Sequence, residues 1–215
     1  MDKVGPICRF AADCAVVYDY IRGQDGKDRS VQNVSFELLS ESDLKDLKVG
    51  YFYSQFESDT STNHINNQRT LEEFRKLGIE PKKVELPKDY PFNVFDIILR
   101  AESGAFFDQL ILSGRDSLMV EQDKSSRANS LRQSRFIPAV EYLQANRHRR
   151  MLIEEMHRLI KEYDVIISPT FGGRQMLITN LTGHPALSLP NGFDKKGRPT
   201  SFTLIGNLYD EGSIL

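Results

Sequence analysis

Two short segments carry the residue types from which a pocket for a small molecule could be built. Ser168–Gly173 follows an apolar run that starts at Val165, and loops after buried strands are the usual ligand-binding loops of α/β proteins. A turn that only leads the chain out of the sheet explains the same residues, so both interpretations stay open. Asn180–Gly183 precedes another apolar run. The interpretation that we prefer for this segment is that it only shapes the backbone, since glycine can adopt a φ that other residues avoid. The alternative is a loop that borders a cleft.

Catalytic residues are harder to find than pocket residues. A serine nucleophile needs a base within hydrogen-bonding reach and a backbone pocket for the oxyanion. Ser125 and Ser126 are flanked by lysine and arginine, no serine adjoins the Gly172–Gly173 pair, and neither a G-x-S-x-G nor an S-x-x-K pattern occurs. His184 has neither a serine nucleophile nor an orienting carboxylate beside it. We therefore assign no catalytic residue to this chain.

The sequence shows no pattern of metal ligands. Its histidines are scattered, and no CxxC or HExxH spacing occurs among the residues. We therefore predict that the chain has no metal site, and we expect no cofactor.

Two groups of arginines invite a functional interpretation. Arg147–Arg150 includes three arginines and one histidine on a predicted helix. Contact with RNA or phosphate is one hypothesis, but acidic residues one turn further on favour a solvated helix face. A second group, Arg127, Arg132 and Arg135, could hold a substrate carboxylate. A mobile surface loop is the interpretation that we prefer for this group.

Composition and charge exclude several classes of function. The 215 residues include 40% hydrophobic and 27% charged residues, and the formal net charge is -2. No global field attracts such a chain to nucleic acid or to an anionic membrane, and no apolar run is long enough to span a bilayer. No apolar region follows the charged residues at the start, so we expect no signal peptide. Two cysteines without a bridging pattern fit a reducing, cytoplasmic location.

The elements that must position these residues follow from hydrophobic periodicity. Apolar residues at helical spacing predict helices, most clearly over Pro138–Tyr163. Runs rich in β-branched and aromatic residues predict strands. Strand, helix and strand follow one another between Leu47 and Leu86, which indicates a βαβ unit. We predict an α/β fold in which helices cover a mixed sheet. The predicted helices are Phe10–Arg22, Ile65–Leu77, Phe92–Leu112 and Pro138–Tyr163, the predicted strands are Leu47–Tyr53, Lys83–Leu86, Val165–Ser168, Ala186–Leu189 and Ser201–Ile205, and Arg115–Ser134 is predicted to be a loop with a short helix.

Four blocks of sequence, taken in order, resemble the second half of the amidase-signature family. Each block is weak alone, but together they cover nearly the whole chain. The blocks are Val4–Arg9 followed by Asp13, similar to GP-x-(A/C)-R-S-x-x-D; Gly23–Asp28, similar to G-x-D-x-x-D; Asp43–Gly50, similar to DLKGLKIG; and Tyr163–Gly206, with YDVIISPT, NLTGHPA and LIG.

The resemblance implies hydrolysis of a carboxamide C–N bond by a serine nucleophile. In this family a second serine with a cis peptide links that nucleophile to a lysine base, and all three lie in a Gly/Ser-rich segment upstream of the GP block. This chain begins at the GP block. We therefore expect residues 1–215 to be a single C-terminal portion of an amidase-signature domain, inactive by itself.

The resemblance also favours a pocket role for the two segments described first. It places eight residues along the substrate pocket: Thr170, Phe171, Gly172, Gly173, Asn180, Leu181, Thr182 and Gly183. We expect both segments to lie close together at the ends of neighbouring strands.

The implied partners are a small amide substrate, the missing N-terminal half and, because a severed sheet exposes apolar surface, a second copy of the chain. We expect neither nucleic acid nor a membrane as a partner. Two alternatives remain open. One is the A subunit of a tRNA-dependent amidotransferase, and the other is a non-catalytic binding or assembly module.

Overall fold

The structure is a computed structural model that describes residues 4–28, 31–40, 43–61, 63–171 and 173–215, except for the side chain of Lys45. Two compact units are present. The first comprises Met1–Leu86 and Glu155–Leu215, and the second comprises Pro87–Glu154.

All of the predicted strands are present in the first unit, and helices cover the sheet as expected. Strand β1 is shorter than predicted, because Tyr53 begins a helix instead of ending the strand. The strands are β1 (Val49–Phe52), β2 (Lys82–Val84), β3 (Val165–Pro169), β4 (Ala186–Phe193) and β5 (Pro199–Gly206), and the helices are α1 (Ala11–Ile21), α2 (Tyr53–Glu57), α3 (His64–Lys76), α4 (Asp96–Phe106), α5 (Asp108–Leu112), α6 (Arg127–Ser134), α7 (Ala139–Ile160) and α8 (Gln175–Thr182).

The strands form one mixed sheet in the order β2-β1-β3-β5-β4. Strands β1, β2 and β3 are parallel, whereas β5 runs antiparallel to both of its neighbours. Helix α3 connects β1 to β2, which confirms the predicted βαβ unit. Strand β3 lies at the centre and all five of its residues are buried, as expected for an apolar run covered on both faces.

One cluster of the core of the first unit lies between the sheet and the helices α2 and α3. Val49 and Ile167 of the sheet pack there with Phe56 and Leu71 of these helices. On the β4–β5 side, α3 contributes amides instead: Asn66 Nδ2 donates to Thr200 Oγ1 over 2.8 Å. Buried polar groups are stable when they are paired in this way.

The second unit is helical, and its segments are shorter than the sequence suggested. The predicted helix Phe92–Leu112 is divided into a 3₁₀ turn, α4 and α5, with a break at Phe107. Helix α6 is the short helix expected within Arg115–Ser134. Its N-terminus is capped by Ser126, whose Oγ accepts a hydrogen bond from the Asn129 N–H over 3.2 Å. Helix α7 begins in the second unit and ends in the first. Its apolar stripe is buried as predicted, at Leu152 in the second unit and at Met156 and Ile160 in the first.

Candidate binding cavity at helix α8

A cavity of about 220 Å³, lined by uncharged polar and apolar side chains, lies between helix α8 and one face of the hairpin β4–β5. Helix α8 connects the end of β3 to the start of β4, which runs in the same direction as β3. The helix therefore crosses the sheet face and covers it. The lining residues are Thr170, Gln175, Met176, Thr179, Asn180, Ala186, Ser188, Thr203 and Ile205.

Hydroxyl groups follow one another along the strand side of this cavity. Ser201 Oγ donates to Thr170 Oγ1 over 3.0 Å. Thr203 Oγ1 lies 3.0 Å from Thr170 Oγ1 and 3.1 Å from Ser188 Oγ. Ser188 and Thr203 are directly paired across β4 and β5, so the strand register creates this row.

Gln175 forms the opposite side and is only 3% exposed. Its Nε2 donates to the carbonyl of Pro169 over 2.8 Å and to that of Thr170 over 3.1 Å. Because two carbonyls face one end of the amide, its orientation is fixed. The other end, Oε1, is buried and has no hydrogen-bond partner among the described residues.

Gly173 leaves room for the side chains of Gln55 and Gln175, which pack against it. A Cβ at this position would lie 2.7 Å from Gln55 Cδ and 2.8 Å from Gln175 Oε1. Gln55 is itself held, because its Oε1 accepts a 2.9 Å hydrogen bond from the fully buried Ser168. The absence of a side chain at residue 173 is therefore a packing requirement.

The structure brings some of the predicted pocket residues together and separates others. Thr170 and Asn180 line the cavity described above, and Gly173 lies against Gln175. Phe171 is 71% exposed. Gly172 lies outside the described residues.

The second predicted segment is not a loop. Asn180, Leu181 and Thr182 form the last turn of α8, and Leu181 is fully buried. Gly183 ends the helix in the left-handed conformation, with φ 88°, and borders another cavity. Thr170 and Asn180, one from each segment, line the same cavity. The segments do not flank neighbouring strands as expected, because β5 lies between β3 and β4 in the sheet.

His184 is buried in the first unit and is 1% exposed. Its Nδ1 lies 2.8 Å from Thr182 Oγ1. Thr182 therefore provides a hydrogen-bonding partner for the buried imidazole. His184 is not among the residues that line the cavity at α8.

The arginines that could have held a substrate carboxylate interact with their own chain. Arg132 pairs with Asp116, which is largely buried, and Arg135 pairs with Asp108. Arg127 donates to Ser103 Oγ over 3.0 Å. These contacts fix the loop and helix α6 within the second unit.

Within the part of the chain that the structure describes, no three His, Cys, Asp or Glu residues are placed to hold a metal ion. No described helix has both the length and the apolar character needed to cross a membrane.

Comparison with known proteins identifies the family. The family model described as Amidase matches residues 1–179. The chain belongs to the amidase family. This result confirms the resemblance inferred from the four sequence blocks.

Relatives of known name are similar over the whole of this chain. The A subunit of the glutamyl-tRNA(Gln) amidotransferase of Halothermothrix orenii is 25% identical over 261 aligned positions, which cover 100% of this chain and 54% of that protein. The A subunit of Prosthecochloris aestuarii is 28% identical, and the alignment covers 100% of this chain and 54% of that protein. The chain therefore spans about half the length of the curated relatives that it matches.

Solved structures confirm the α/β fold. A bacterial aryl acylamidase of the amidase-signature family superposes with a TM-score of 0.75 at 17% identity, over 98% of this chain and 50% of the other. The A subunit of the glutamyl-tRNA(Gln) amidotransferase of Thermotoga maritima superposes with a TM-score of 0.70 at 21% identity, over 98% and 50%. The five-stranded mixed sheet is thus shared with about half of each of these chains.

The sequence interpretation missed most residues of the cavity. Gln175, Ser188 and Thr203 stand in separate parts of the sequence. One signal was present, since Ser201 and Thr203 are two residues apart and so face the same side of a strand. The strand register that adds Ser188 could not be inferred from that spacing.

Proposed function

We propose that this chain forms one wall of the substrate pocket of an amidase, a hydrolase that cleaves a carboxamide C–N bond. The observation that carries the proposal is the family match over residues 1–179. The cavity at α8 supports it, because a lining of uncharged polar and apolar side chains suits a neutral ligand. We further propose that the serine nucleophile and its lysine base come from sequence outside these residues, with which this chain forms one sheet.

The experiment compares two polypeptides. One is the 215-residue chain, and the other is the same chain joined to the sequence encoded immediately upstream of Met1. Both are assayed for ammonia release from aliphatic and aromatic primary amides. We expect turnover only from the joined polypeptide, because covalent catalysis needs a nucleophile and a base together. Turnover by the 215-residue chain, abolished by changing one of its own serines to alanine, would contradict the proposal.

A second candidate is the A subunit of a tRNA-dependent amidotransferase. The similarity of 24–28% to the named A subunits favours it. The two candidates differ in their substrate preference, since such an amidotransferase should prefer glutamine as its ammonia donor. Assaying the joined polypeptide with glutamine beside benzamide separates them. Preferential turnover of glutamine would favour the amidotransferase, and preferential turnover of benzamide would favour the amidase.

A further inference from the structure

We propose that a second cavity of the first unit binds a small zwitterion, an amino acid with an apolar side chain, through Arg22 and Glu211. We call it the α1 cavity. Its volume is about 380 Å³, and residues from the end of α1, from segment 31–36 and from segment 209–211 line most of it. It shares no lining residue with the cavity at α8, so the proposal does not depend on amide hydrolysis.

Arg22 provides the cationic end of the α1 cavity. Its Nε pairs with Asp19 Oδ1 over 2.7 Å, and its Nη1 donates to the carbonyl of Val34 over 2.8 Å. The guanidinium group also lies over the ring of Phe36, 5.2 Å from the ring centroid. These contacts hold the group in place and use two of its five N–H donors. The remaining donors can bind the carboxylate of a ligand through charge-assisted hydrogen bonds.

Glu211 provides the anionic end and is partly buried. Arg22 pairs with Asp19 instead, and no other cationic side chain in the described part of the chain forms an ion pair with Glu211. Burial, and then a hydrogen bond to Glu211, raise the pKa of Tyr18. The Tyr18 hydroxyl therefore stays protonated at neutral pH and donates to the carboxylate. Burying a carboxylate without a counter-ion is costly, and the ammonium group of a ligand would supply one.

Two aromatic rings lie between these charged ends. The rings of Tyr18 and Phe36 meet edge to face, with centroids 5.2 Å apart. Tyr18 contacts Glu211, and Phe36 contacts Arg22. Opposite charges that share a cavity without pairing with each other are complementary to a ligand that carries both charges.

The rest of the lining determines the uncharged part of the ligand. It is mostly apolar or aromatic and includes Ile21, Val31 and Val34. A polar ligand side chain would lose hydration among these residues, whereas an apolar one gains from burial. The volume lies near the lower end of the range for ligand pockets, about 300–1,000 Å³, which suits a single amino acid.

The test titrates the 215-residue chain with four probes and follows its amide NMR signals. L-Leucine carries both charges and an apolar side chain. 3-Methylbutan-1-amine lacks only its carboxylate, 4-methylpentanoate lacks only its ammonium group, and L-glutamine has a polar side chain. We expect saturable shifts with leucine at Gly23 and Ser35, which line the α1 cavity. Leucine should bind about three- to tenfold more tightly than each other probe, since each lost contact lies between an exposed ion pair and a charged hydrogen bond in strength.

Two variants separate the two ends. Glu211→Gln removes the negative charge and should weaken the binding of leucine and of the amine, but not of 4-methylpentanoate. Arg22→Gln should weaken the binding of leucine and of 4-methylpentanoate, but not of the amine. Glu57→Gln at the end of α2 and Arg69→Gln on α3 change exposed residues and should bind as the native chain does. Because Arg22 also holds the segment at Val34, Glu211→Gln is the test that does not depend on the fold of the Arg22 variant.

Three results would overturn the inference in the native chain. They are a leucine affinity no higher than that of either truncated probe, tighter binding of glutamine than of leucine, and the absence of saturable shifts at the residues that line the α1 cavity. Unchanged leucine binding in Glu211→Gln would do the same. Amide turnover by the joined polypeptide is measured separately, so its failure would contradict the proposed function and leave this inference standing.

Discussion

Replacement of Gly173 by alanine tests how tightly two buried glutamine side chains pack at the start of α8. A Cβ at residue 173 would lie 2.7 Å from Gln55 Cδ and 2.8 Å from Gln175 Oε1, and closer still to Gln55 Nε2. One of the two glutamine side chains must therefore move. Gln55 is 7% exposed and Gln175 is 3% exposed, so neither can simply swing into solvent.

The cost follows from the hydrogen bonds that would be lost. Gln55 accepts from Ser168 over 2.9 Å, and Gln175 donates to Pro169 over 2.8 Å. A lost hydrogen bond costs about 0.5–1.5 kcal/mol, and overpacking a core costs about 1–3 kcal/mol. We expect Gly173→Ala to lower the free energy of unfolding by about 1–3 kcal/mol, from these ranges. The melting temperature of a chain of this size should then fall by about 3 to 9 °C.

The assay is urea unfolding followed by circular dichroism, with thermal melting alongside it. Gly5→Ala is the matched control, because nothing lies within 4 Å of the site of its added Cβ and its φ is not positive. Gly173→Ala should also cost less in a Gln55→Ala background, where the obstructing amide is gone. A Gly173→Ala chain within about 0.5 kcal/mol of the native one would show that the glutamines adapt freely and that our argument is wrong.

Three further predictions concern other parts of the first unit. Gly212→Ala should lower the free energy of unfolding more than Gly173→Ala does, since a Cβ at residue 212 would collide with the backbone carbonyl of Glu37. Equal urea midpoints for the two variants would contradict this prediction. Hydrogen bonds from the backbone N–H of Arg198, and then from its side chain, lower the pKa of Asp194. The stabilisation from Asp194 is therefore complete above the ordinary aspartate pKa and is lost as pH falls through the lowered value. An NMR titration of this carboxyl should show a midpoint below that of a model peptide. We expect the chain to self-associate. Apolar residues are exposed on α1, such as Val16 and Tyr20, and β4 forms an edge of the described sheet. Sedimentation as a clean monomer at low micromolar concentration would contradict this expectation.

The sequence by itself was sufficient for the strands and for the long helix. Val165–Ile167 is a short run of β-branched residues, and such residues pack well on a pleated surface. Leu152, Met156 and Ile160 repeat at helical spacing, which fixes the buried face of α7. These signals are local, so no tertiary information was needed to interpret them.

Helix α8 was missed although a weak signal for it exists. Leu177, Ile178 and Leu181 have helical spacing, but threonine and asparagine are interspersed with them and have modest helix propensity. In the structure, burial of Ile178 and Leu181 stabilises the helix. Tertiary packing thus overrides a marginal local preference, and the loop that we expected at residue 180 is the end of this helix.

The composition of the cavity was decided by tertiary structure alone. Ser188 and Thr203 are 15 residues apart in sequence and meet because Ser188 pairs with Thr203 in the register of β4 and β5. Gln55 and Ser168 are separated by 113 residues and meet where α2 packs on β3. Local periodicity determines which face of an element is apolar, but strand register and helix packing determine which polar side chains share a cavity. The sequence therefore specified the family and most of the elements, and strand register and helix packing decided which of their polar side chains line one cavity.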